Sequence, residues 1–390
     1  MRPRTTLAKG GPQPKGVLRA VTQSAIASID ERLQGALEKF SAAGFFRREP
    51  ALLLPAGVFL DRLGEEFRGK LYLTGENGGS ELCLRPEFTI PVALQHLASA
   101  AAFDPADIAY GGPVFRAGQG ELFQTGVESF GREDRAAADA EILGVALEAA
   151  AAAGAPRLAL RLGDAGLSRS FFARLDLPPA WRRRIEAGVA RGAALDDVLA
   201  PAPRQNGALG GGVLAALEKS DAAGAQQLVE DLLAIAGAAS VGGRSVAEIA
   251  ERFLEQASLQ EPLSAPARQR IADFFAVEAA PDTASEKLRA LARDHGLELD
   301  EALEAFETRA SFLAARGVKL EETVFSTRFP HAIDYYSGFM FEARPAGEAA
   351  PAAPLISGGR YDGLLKSLGA AQDIPAVGAA VFVDRLGAAQ

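Results

Sequence analysis

The sequence predicts an α+β protein: an antiparallel sheet flanked by helices, with one long helical insertion. Three observations predict it. Short strand patterns alternate with helices up to about Gly163, an Ala-rich helical stretch follows, and strand character returns after Leu320. One sheet begun before the stretch and resumed after it implies a core of residues 17–164 and 321–390, interrupted by a mostly helical insertion at 165–320. Residues 1–16, rich in Gly, Pro, Lys and Arg, read as a mobile tail.

The elements follow in order. Ile26, Ile29, Leu33, Leu37 and Phe40 recur at helical spacing, so a helix is expected from Ala20 to Ala42, stopped by Gly44. The stretch Ala51–Gly57 leads into a short helix near Val58–Glu66. Glu81–Arg85 is a strand, and Pro86 suits the first turn of the helix after it. Ile108–Arg116 and Leu122–Phe130 form a hairpin through Ala117-Gly118-Gln119-Gly120. Ala138–Ala153 has strong helix propensity, and Arg157–Leu162 is a strand. The insertion is broken by glycine clusters at 210–212 and 242–243 and shows no fixed repeat. Thr323–Phe325 and Asp334–Glu342 read as strands, Gly358-Gly359 as a turn, and the chain closes with a strand and a helix.

Composition narrows the functional classes. Of 390 residues, 48% are hydrophobic and 23% charged, the balance of a soluble globular protein. The net charge of −9 argues against a dominant nucleic-acid surface. No apolar run approaches the ~20 residues of a membrane span, and no secretory signal is recognisable. Cys83, the single cysteine, excludes an internal disulfide framework; His96, His295 and His331 are too scattered for a zinc site. A cytoplasmic protein without metal or cofactor is expected.

Alternation along the strand Leu122–Phe130 puts Gln124, Gly126 and Glu128 on one side and Phe123, Thr125 and Val127 on the other. A polar face with glycine at its centre suits a sheet floor on which a small ligand lies; a solvated edge strand would look the same. Glu128 suits an ammonium partner and Gln124 a hydrogen bond in either direction. Asp334, Tyr336, Gly338 and Glu342 repeat the pattern. Glu87 and Thr89 stand where they either meet a ligand or cap a helix. Ser357–Gly363 brings Tyr361 beside whatever the glycines expose.

Together LRPEFT, GPVFR, FQTGVESFG, IDYYSGFMFE, GGRYDGL and PAVGAAVFVDRL resemble, in order, the motifs of histidyl-tRNA synthetases, a class II aminoacyl-tRNA synthetase family. The resemblance implies an amino-acid pocket on the face of the sheet, with Glu87, Thr89, Gln124, Glu128, Tyr336 and Tyr361 contacting histidine. By resemblance Glu128 and its neighbours hold the α-amino group, and Tyr361 approaches the imidazole. Arg116 and Arg385 match nucleotide-site arginines and read as remnants.

The chain departs from the family where ATP and tRNA are handled. Only AGQGELF separates Arg116 from Gln124, where a synthetase carries a longer charged loop. His331 occupies the position of a catalytic arginine and lacks its planar fork of donors. Phe382 replaces a glycine. The sequence ends at Gln390, soon after Arg385, so no anticodon-binding domain is expected. A pocket kept and a reaction lost resembles the regulatory subunits of ATP phosphoribosyltransferase, synthetase paralogues. That resemblance implies a non-catalytic subunit that senses L-histidine as effector. Its partner would be a short-form catalytic subunit, with homodimers built into a hetero-oligomer, a hetero-octamer. Two other readings remain: a synthetase-like enzyme that still activates histidine, and a scaffold without ligand.

Overall fold

The computed structural model describes residues 23–75, 79–99, 104–202, 224, 227, 258–331, 335–347 and 353–386. The expected tail, both glycine clusters and Asp334 lie outside them. The helices are α1 Gln23–Ala42, α2 Gly57–Leu63, α3 Thr89–Leu97, α4 Arg135–Ala152, α5 Ala165–Ala173, α6 Pro179–Ala190, α7 Leu195–Leu199, α8 Ala265–Phe275, α9 Pro281–His295, α10 Asp300–Ala315 and α11 Leu364–Ser367. The strands are β1 Phe46–Arg47, β2 Leu53–Pro55, β3 Leu73–Gly75, β4 Glu81–Leu84, β5 Ala106–Arg116, β6 Gly120–Phe130, β7 Leu158–Asp164, β8 Glu278–Ala279, β9 Val324–Ser326, β10 Phe339–Pro345, β11 Ile356–Arg360 and β12 Ala376–Phe382.

The chain forms two compact units, residues 1–159 with 342–390 and residues 160–341. β9 pairs with β7 and β8 and lies in the second unit.

In the first unit the strand order is β1-β5-β6-β12-β11, and β10 follows β11. β5 and β6 pair along their full length, from Ala106↔Phe130 to Arg116↔Gly120. Gly118 and Gly120, both at φ 81°, let the turn between them close. β6 is therefore an interior strand, bonded to β5 on one side and β12 on the other, and not a solvated edge. Helix α1 covers one face: Leu33, Ala36, Leu37 and Phe40 are buried at helical spacing, and a side chain at Gly111 would meet Leu33 and Leu37. Each such Leu or Phe contributes about 1.5–3 kcal/mol. α4 packs on both α1 and the sheet, so its alanines are buried on several sides. A smaller antiparallel sheet, β2-β4-β3, buries Cys83.

Four local expectations change. Pro86 precedes α3, which starts at Thr89. The strand placed at Asp334–Glu342 runs instead over Phe339–Pro345, because the carbonyls of Ser337 and Gly338 accept from Arg169 and from the Ala165 amide at the start of α5. Gly358-Gly359 lies within β11, paired with Ala379 and Gly378, and is not a turn. The closing helix is a short 3-10 turn at Val383–Arg385.

In the second unit β7 pairs in parallel with β9, and β9 antiparallel with β8. Phe171 and Phe274 stack at 4.0 Å within an aromatic cluster completed by Phe172 and Phe275. Asp164 caps α5 through the Leu167 amide at 3.0 Å and receives Arg309 at 2.6 Å on its other oxygen. Both partners are largely buried, so Arg309→Ala leaves a lone carboxylate inside the unit. Chemical unfolding should show a loss of about 3 kcal/mol; an unchanged midpoint would mean that water replaces the arginine.

Candidate functional site

The start of α3 faces the interior strand. Glu87 accepts from the Thr89 amide at 2.6 Å and the Ile90 amide at 3.0 Å, capping the helix as the sequence allowed. The Thr89 hydroxyl donates to Glu128 Oε1 at 2.8 Å, and the Tyr361 hydroxyl donates to Oε2. Glu128 is only 1% exposed. A buried charge is costly, and burial pushes its carboxyl up to about 8, with the Tyr361 and Thr89 hydrogen bonds opposing, nearby Glu87 adding to the rise and Tyr110 opposing it. Glu87 is pushed up to about 7, chiefly by burial, against its two backbone bonds and the nearby Arg116 cation.

Glycines make room for this carboxylate and for Tyr110. A methyl group at Gly378, directly across from Glu128, would lie 1.6 Å from Oε2. One at Gly126 would lie 2.2 Å from the Ala379 carbonyl and 2.4 Å from the Tyr110 hydroxyl. Tyr110 stacks on Phe88 at 4.5 Å and reaches the Ala379 carbonyl at 3.3 Å. Gln124 is buried, with Gly112 on one side and Phe382 on the other.

Glu87, Thr89, Gln124, Glu128 and Tyr361 thus belong to one unit; Thr89 and Tyr361 meet at Glu128, Glu87 holds the start of α3 beside them, and Gln124 lies in β6 four residues before Glu128. Tyr336 belongs to the second unit, its ring 6.1 Å from His331 and 5.7 Å from Tyr335. His331 Nδ1 lies 3.1 Å from the Phe329 carbonyl. Arg116 donates to the Pro86 carbonyl at 3.0 Å, and Arg385 to the Pro354 carbonyl at 2.7 Å. Arg385 also lies over the Phe382 ring at 3.8 Å, a cation–π contact. Asp384 stands by both arginines, its carboxyl raised by burial against their pull.

Tyr110 and Gly378 escaped the sequence reading. Hairpin register, which places Tyr110 opposite Gly126, was the signal for the first; the second needed the pairing of two distant strands. Among the described residues, no group of three His, Cys, Asp or Glu side chains is placed to hold a metal, and no helix is long and apolar enough to cross a membrane.

A family model described as histidyl-tRNA synthetase matches residues 18–386. A curated relative from Mesorhizobium japonicum, named ATP phosphoribosyltransferase regulatory subunit, is 39% identical over 355 residues, covering 89% of this chain and 94% of that protein. The chain belongs to this regulatory-subunit family. A member from Brucella canis is 36% identical, covering 87% of this chain and 91% of its own length. Similar solved structures show the same class II synthetase fold. One, from Bacillus halodurans C, is titled an ATP phosphoribosyltransferase regulatory subunit/histidyl-tRNA synthetase, with a TM-score of 0.67 at 20% identity, covering 97% of this chain and 83% of that one. Another is a histidyl-tRNA synthetase from Nostoc sp. PCC 7120, with a TM-score of 0.64 at 17% identity, covering 97% of this chain and 75% of that one. The regulatory-subunit family and its synthetase relatives thus share the scaffold that carries Glu128.

Proposed function

We propose that this chain binds L-histidine at the Glu87, Thr89, Gln124, Glu128 and Tyr361 cluster and catalyses no reaction of its own. In this reading it conveys histidine occupancy to a short-form ATP phosphoribosyltransferase catalytic subunit inside a cytoplasmic hetero-octamer. It thereby provides both activation and feedback inhibition at the first step of L-histidine biosynthesis. The observation that supports it most is Glu128: a carboxylate buried in a sheet between two hydroxyl donors suits an incoming N–H cation better than it suits stability. The Tyr361 hydroxyl rests on Glu128, so one N–H-bearing end of the ligand, ammonium or imidazole, meets both.

Loss of reaction is supported by how the remnant arginines are used. Arg116 holds the Pro86 carbonyl, and the Arg385 guanidinium lies against the ring of Phe382, a bulky side chain where the resemblance implies a glycine. The purified chain should bind histidine without histidine-dependent pyrophosphate exchange, and should raise the turnover of a short-form phosphoribosyltransferase while making it histidine-sensitive. Exchange above background would overturn this in favour of an active synthetase-like enzyme.

A proton should accompany the ligand. With its pKa near 8, ligand-free Glu128 is mostly protonated at pH 7, yet it meets a cation as the carboxylate. Binding should therefore release a proton, and affinity should rise between pH 6 and 8. Calorimetry in buffers of different ionisation enthalpy reads this directly; buffer-independent heats would place the cation elsewhere.

A further inference from the structure

Tyr361 meets Glu128 only if its backbone stands in the right place, and the residues on either side of it are held by charge. Arg360, at the end of β11, is 4% exposed, and its partner Asp139 on α4 is fully buried. The guanidinium donates from Nε to Asp139 at 2.9 Å, approaches the same oxygen through a terminal nitrogen at 2.7 Å, and reaches the Arg135 carbonyl at 3.0 Å. Its other terminal nitrogen donates to Asp362 at 2.9 Å. Asp362 also accepts the Ala376 amide at 2.9 Å and stands 3.3 Å from the Arg135 guanidinium. Between them, the Tyr361 amide donates to the Ala376 carbonyl at 2.8 Å. The tripeptide 360–362 is thus clamped to α4 on one side and to β12 on the other.

A buried ion pair is a poor source of net stability, because its desolvation offsets most of the attraction and an apolar pair of similar volume often does as well. What the pair supplies is direction. A forked cation with each nitrogen assigned to an oxygen fixes its own backbone within narrow limits. A phenol one residue away must be placed that closely to reach a carboxylate in the next strand but one.

We propose that Arg360 and Asp139 are positioning residues for the ligand pocket, acting through the Tyr361–Glu128 hydrogen bond. The assignment rests on the pocket reading above. It gives helix α4 a part in ligand recognition although its residues Asp139 and Arg135 bond to the strand end and not to Glu128.

The test is a double-mutant cycle in the full chain. Asp139→Asn keeps volume and removes charge; Tyr361→Phe removes only the hydroxyl. Each single variant should weaken histidine binding about tenfold, the loss expected for one hydrogen bond to a charged group, and the double variant should bind no worse than Tyr361→Phe. Losses that multiply to about a hundredfold would overturn the proposal, since Asp139 would then act independently of the phenol. If Asp139→Asn fails to fold, Arg360→Lys replaces it in the cycle, keeping the charge and losing the fork.

A second readout needs no histidine. Around Glu128 stand Thr89, Tyr110, Glu87 and Tyr361, and the Tyr361 bond holds the carboxyl down. In carbon-13 titrations of the ligand-free chain, Asp139→Asn should raise the Glu128 midpoint as far as Tyr361→Phe does. A midpoint that moves in Tyr361→Phe but not in Asp139→Asn sinks the positioning role. Absence of histidine binding in the unsubstituted chain would instead sink the pocket reading, and the titration would still judge the pair.

Discussion

Glu128→Gln is expected to weaken histidine binding by about ten- to a hundredfold, the range for losing a hydrogen bond to a charged group. The same change should raise the thermal stability of the ligand-free chain at pH 8. The glutamine fits: its amide oxygen can accept one of the Thr89 and Tyr361 hydroxyls and its NH2 can donate to the other, so no buried polar atom is stranded. The ligand's cation loses its countercharge. The stability gain follows from linkage. In the folded chain Glu128 keeps its proton up to about pH 8, whereas the unfolded chain releases it near the ordinary value of 4.5. Between those values the native state binds more protons than the unfolded one, so rising pH costs stability. Glu87, pushed up to about 7, adds to the same loss over pH 4.5–7. Glutamine removes the Glu128 share, so melting temperatures of variant and parent should nearly coincide at pH 5 and separate at pH 8. Equal melting at both pH values would mean that Glu128 titrates as an ordinary surface carboxylate.

Gly378→Ala should weaken the ligand at least as severely, with the opposite effect on stability. The new methyl would stand 1.6 Å from Glu128 Oε2 and 2.9 Å from the Val127 carbonyl, in a strand bonded on both sides. The backbone has nowhere to retreat, so the carboxylate must swing away from Thr89 and Tyr361. Overpacking of this kind costs about 1–3 kcal/mol, and the displaced charge remains buried. Combining Gly378→Ala with Glu128→Ala removes the clash with the carboxylate but leaves the 2.9 Å approach to the Val127 carbonyl, so it should recover part of the stability without recovering binding. A Gly378→Ala chain that melts and binds like the parent would show that the carboxylate has another place to go.

These two positions mark how far the sequence could be read. Alternation along one strand put Gln124, Gly126 and Glu128 on a common face, and the structure gathers Gln124 and Glu128 there as interior residues. That step needs only the two-residue period of an extended chain. Gly378 stands far away in sequence, and its juxtaposition with Glu128 arises only when β12 enters between β6 and β11. The Asp139–Arg360 pair, 221 positions apart, is equally invisible to local pattern. Tyr335–Gly338 misled for another reason. Aromatic residues and alternation favour a strand, yet the Ser337 and Gly338 carbonyls serve Arg169 and the start of α5. Tertiary demand on the backbone overrode side-chain preference there. For Gly358-Gly359 the error ran the other way, since glycine punctuates turns in general but here the pair lies inside β11, opposite Ala379 and Gly378.

The short connection that closes Arg116 onto Gly120 makes chain length there cheap and chain length just beyond it dear. Residues added between those two positions extend a surface loop and leave every later pair aligned. A single residue added between Glu121 and Val127 would turn Glu128 from Thr89 and Tyr361 toward α1, because the side-chain period is two. Lineages carrying this scaffold can lengthen or trim the tip of the hairpin many times over while the carboxylate keeps its address.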